Sequence, residues 1–87
     1  MSIVFLLENE DQILKELSAR TKYLSLVPTS SEYYNRLVTD YIKKLFTEQN
    51  PSASSEDIMM FIQSDSVKIY IKNLCLYLEG RNGEHSH

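Results

Sequence analysis

Between Pro28 and Pro51 lies the segment that most limits what this chain can become. Set on a helical wheel at about 100° per residue, Tyr33, Leu37, Tyr41, Tyr34, Leu45, Val38, Ile42 and Phe46 fill an arc of roughly 220°. A helix packed on one neighbour needs an apolar stripe only slightly wider than ~100°. The spacing therefore predicts a long central helix, running to about Gln49, that must be covered from two sides, with a neighbouring polypeptide expected to supply the cover its own chain cannot. Thr29 followed by Glu32 has the spacing of a capping box for its start. Asn50, standing before Pro51, is pushed out of the helical region and ends it.

The flanking segments also read as helical. Asn9 with Gln12 repeats the capping-box spacing, with Glu10 and Asp11 placed where the helix dipole favours acids. Ile13, Leu14, Leu17, Thr21 and Leu24 then draw one apolar stripe at steps of three and four. Ile3 to Leu7 either extends this helix backwards or forms an apolar arm. Beyond Pro51, Ser54 with Glu56 and Asp57 is expected to cap a short helix over Ile58 to Ile62. Gln63-Ser64-Asp65-Ser66 breaks the pattern and offers a new N-cap at Ser64 or Asp65, so the region is read as two helices, one long helix over 55–79 being the alternative. From Val67 onward, Tyr70, Ile71, Leu74, Tyr77 and Leu78 make one face, while Ile69 and Leu76 fall on the opposite side without evident cover. Gly80 is expected to stop this last helix, leaving 81–87 as a flexible polar tail. The fold class that follows is all-α, with a single helical domain over residues 1–80.

Composition narrows the function. At 87 residues there is room for one domain. A core of that size buries only about 60 to 65% of the unfolded surface, so a partner chain would be a useful stabiliser. Cys75 is the only cysteine, which removes internal disulfides and leaves a buried thiol among Leu74, Leu76 and Leu78. His85 and His87 lie in the polar tail, where nothing fixes their geometry for catalysis or zinc. No glycine-rich phosphate loop, paired-cysteine site or nucleophile elbow occurs, so no catalytic residue, cofactor, metal or small-molecule substrate is expected. No apolar run approaches the ~20 residues needed to span a bilayer, and Met1-Ser2 brings no basic leader, so neither a membrane contact nor secretion is expected. The net charge of -3 disfavours independent binding to nucleic acid, and six tyrosines without a basic groove do not make a stacking platform. Met59 and Met60 beside Phe61 suit either core packing or an adaptable binding surface. Ser54 and Ser55, in an acidic context, read as N-caps first and as phosphoacceptors second.

The order of elements, with a brief helix opening on Ser55-Glu56-Asp57-Ile58, resembles the histone fold. There the third helix often opens with a hydroxyl residue and, shortly after, an Asp before an aliphatic residue. The helix beyond Asp65 is similar to that of small histone-fold subunits of the centromere protein W type. The resemblance implies short, long central and short helices plus an extra C-terminal helix. It also implies an obligate protein partner, a second histone-fold chain bound as a heterodimer. The setting would be a nuclear, chromosome-associated assembly, the inner kinetochore first and a transcription complex second. Ser25 to Thr29 and Asn50 to Ser54 carry no charge, so DNA contact is expected to be at most indirect. The partner interface would take in Tyr34, Leu37, Val38, Tyr41, Ile42, Leu45 and Phe46, together with Met59, Met60, Ile69 and Leu76. The alternative is an independent helical bundle, cytosolic, offering a peptide groove with Ile69, Leu76 and the Met59-Met60 pair at its mouth.

Overall fold

A computed structural model of the chain describes residues 2–22 and 30–84, the side chains of 81–84 excepted. The fold is all-α: α1 spans Ile3–Glu8, α2 Glu10–Thr21, α3 Ser31–Gln49, α4 Ser55–Gln63 and α5 Asp65–Glu84. Leu24, Thr29, His85 and His87 lie outside the described residues.

Each junction has a local cause. Asn9 separates α1 from α2, but the capping box expected with Gln12 does not form. The Asn9 Nδ2 group donates back to the Phe5 carbonyl at 2.8 Å, and Gln12 donates to Glu16 instead. Its amide side chain thus closes the end of α1, and Ile3 to Leu7 becomes a short helix of its own. At the start of α3 the cap is Ser30, whose hydroxyl accepts from the Tyr33 N–H at 3.3 Å, while Glu32 pairs with Arg36 on the surface. The start therefore lies one residue later than Thr29 and Glu32 suggest. Asn50 closes α3 by donating its backbone and side-chain N–H groups to the Phe46 carbonyl, ahead of Pro51. Ser54 forms the expected N-cap of α4 within a full capping box: its hydroxyl accepts from the Asp57 N–H, and the Asp57 carboxylate accepts from the Ser54 N–H. Ser64, extended at φ -65°, ψ 145°, divides α4 from α5, and its hydroxyl donates to the Phe61 carbonyl at 2.8 Å.

Gly80 does not stop α5, which continues to Glu84. A glycine ends a helix by adopting the left-handed conformation, and no glycine among the described residues has positive φ. Inside the helix Gly80 only weakens it, by about 1 kcal/mol relative to alanine. The helical region therefore passes the boundary expected at residue 80.

The bundle is built on α2, α3 and α5. The early turns of α3 lie beside the later half of α5, and its last turns lie beside α4 and the start of α2. α3 thus runs against the direction of both α2 and α5. One core joins Leu6, Ile13 and Leu17 to Tyr34, Val38, Tyr41 and Ile42, and these to Val67, Tyr70, Ile71, Leu74, Cys75 and Leu78. The Tyr70 hydroxyl donates to the Leu6 carbonyl at 3.2 Å and pins α1 to α5. Burial, with the charge of Glu10 adding to it, pushes the Tyr70 pKa up to about 12, which keeps the phenol a donor.

The central expectation is corrected here. Val38 and Ile42 are 0% exposed, and Tyr34, Tyr41 and Phe46 are buried, within this one chain. The wide apolar arc of α3 is covered by α5 on one side and by α2 and α4 at its flanks. Counting apolar positions gave the required cover correctly but not its source, because three helices of the same chain reach α3.

Candidate functional site

The eleven residues expected at a partner interface divide into three groups. Tyr34, Val38, Tyr41, Ile42 and Phe46 belong to the chain's own interior, so as an interface for a second chain they are corrected. Leu37 and Leu45 are half-buried. Met59, Met60, Ile69 and Leu76 are exposed at 44%, 72%, 60% and 56%.

The four exposed residues do not converge on one mouth. Met60 borders a groove with Phe46, Asn50 and Phe61 at the end of α3. Leu76 borders a separate groove with Ser31 and Asn35 at its start. Residues 35 and 46 are separated along a helix by about 1.5 Å per residue, or roughly 16 Å. Ile69 and Leu76 are seven residues apart on α5, two helical turns, and form an outer ridge opposite the helix's buried face. Tyr77, expected on that buried face, is instead 48% exposed beside Leu14 and Lys15 of α2. Cys75 sits buried below Leu76 in the groove with Asn35. Burial raises its pKa and the charge of Glu79 adds to this, while a hydrogen bond with Asn35 opposes them. The thiol is therefore held in its protonated, unreactive form.

The seam between α2 and α3 holds a polar cluster that sequence spacing does not signal. The Tyr41 hydroxyl donates to the Glu16 carboxylate at 2.6 Å, across 25 positions of chain. Gln12 donates to the other Glu16 oxygen at 3.2 Å, and the Arg20 guanidinium stands 5.1 Å from the centre of the Tyr41 ring. The hydrogen bond from Tyr41, then that from Gln12, holds the Glu16 carboxyl below its ordinary range. Burial and the hydrogen bond to Glu16 push the Tyr41 phenol far above its own. Near neutral pH one group stays ionised and the other stays protonated, so the pair is a fixed clamp and a poor exchanger of protons.

Beside the clamp, α1, α2 and α3 border an open cleft of about 250 Å³. Its lining mixes Phe5, Ile13 and Leu45 with Asn9, Gln12 and Tyr41, and Glu16, Lys44 and Glu48 bring charge. Among the described residues no group of three or more His, Cys, Asp or Glu side chains could hold a metal ion, and no helix is long and apolar enough to cross a membrane. Comparison with known proteins gives no matching family model, no matching curated protein and no matching solved structure.

Proposed function

We propose that this chain is a non-enzymatic protein-binding module that carries its own closed core and docks a partner protein along the outer ridge of α5. The observation that carries the reading is the exposure of Ile69 and Leu76, 60% and 56%, on a helix whose other face is fully buried. Two aliphatic side chains two turns apart match the anchor spacing with which an amphipathic helix is read. Met60 and Met59 offer a second, adaptable contact at the far end of α3. The polar clamp at Tyr41 and Glu16 is better suited to holding the bundle than to turning over a substrate.

The pairing reading, a second histone-fold chain in a nuclear, kinetochore-associated assembly, draws support from the Ser54-Asp57 capping box that opens α4. Its physical premise was an α3 left uncovered by its own chain, and α3 is covered. The module reading is therefore preferred, with a cytosolic or nuclear setting equally compatible with it.

The experiment is a paired one. Sedimentation of the purified chain is expected to give a monomer with a cooperative melt. Affinity purification from native cells with wild-type bait and with an I69E/L76E bait is expected to recover a partner with the first only, at equal bait stability. An aggregated or molten chain that sharpens only on co-expression would return the argument to the obligate pair. Unchanged recovery by the double variant would remove the α5 ridge as the docking surface.

A further inference from the structure

We draw no further inference here: the strongest candidate, the groove that Met60 borders with Phe46 and Phe61 between α3 and α4, is an unpartnered face, and nothing in the structure shows what covers it.

Discussion

α3 and α5 are the two long helices of the molecule, and they use apolar residues in opposite ways. α3 spreads them over a wide arc and has nearly all of them covered: Val38 and Ile42 are sealed, Leu37 and Leu45 are half-buried, and only Tyr33 stands well out. α5 concentrates them on one face, from Val67 to Leu78, yet leaves Ile69 and Leu76 on the other. The width of an apolar arc says how much cover a helix needs. An isolated pair outside the arc says where cover from the same chain has ended. For locating the docking surface proposed above, the second signal is the one used.

The contrast can be broken most directly by truncation. Ile42→Ala should destabilise the chain by about 2–5 kcal/mol in denaturant unfolding, while Ile69→Ala should stay within about 0.5 kcal/mol of wild type. Similar losses at both positions would mean that the α5 ridge is covered after all. Tyr70→Phe removes the donor to the Leu6 carbonyl and is expected to lose about 1–2 kcal/mol, with faster amide exchange in α1. A neutral result would mean that α1 is held by packing alone. Ser54→Ala breaks the capping box of α4 and should cost about 1 kcal/mol, whereas Asn9→Ala should leave the start of α2 unchanged, since Asn9 places no side-chain cap there.

These junctions show what the residues announce and what they hide. The breaks at Asn50-Pro51 and at Ser64 were legible because their chemistry is local: a proline restricts its predecessor, and a serine can meet a free backbone group within three positions. Asn9 was misread for a related reason. Its amide can accept forward or donate backward, and spacing alone does not say which. The need for cover along α3 was legible, but its source and the Tyr41-Glu16 bond were not, because both join residues distant in sequence. Tyr77 was placed on the buried face by periodicity, but it sits at the margin of that face, 48% exposed beside α2.

Two smaller effects sharpen the picture of α5 and of the seam. Gly80→Ala should stabilise by about 0.5–1 kcal/mol, because nothing lies within 4 Å of the added methyl group and the unfolded chain loses freedom. Destabilisation would show that α5 departs from helical geometry at this point. The Glu16-Tyr41 clamp should appear as a pH effect. Glu16 titrates below its ordinary 4.5 when folded, so its contribution is fully present above that value and is lost as pH falls through the lower folded one. The stability difference between wild type and Tyr41→Phe should therefore be constant near neutrality and shrink on acidification below about pH 4.5, as chemical denaturation across that range would reveal.

α4 has nine residues and not one fully buried side chain. Its hold on the molecule is the Phe46-Phe61 ring contact at 4.8 Å and the half-buried Ile58 and Ile62. Such a segment opens at little free-energy expense, independently of the remaining bundle. Among the described helices, limited proteolysis should accordingly cut α4 before α2, α3 or α5, and a ligand seated on Met60 would register its arrival by protecting that stretch from cleavage.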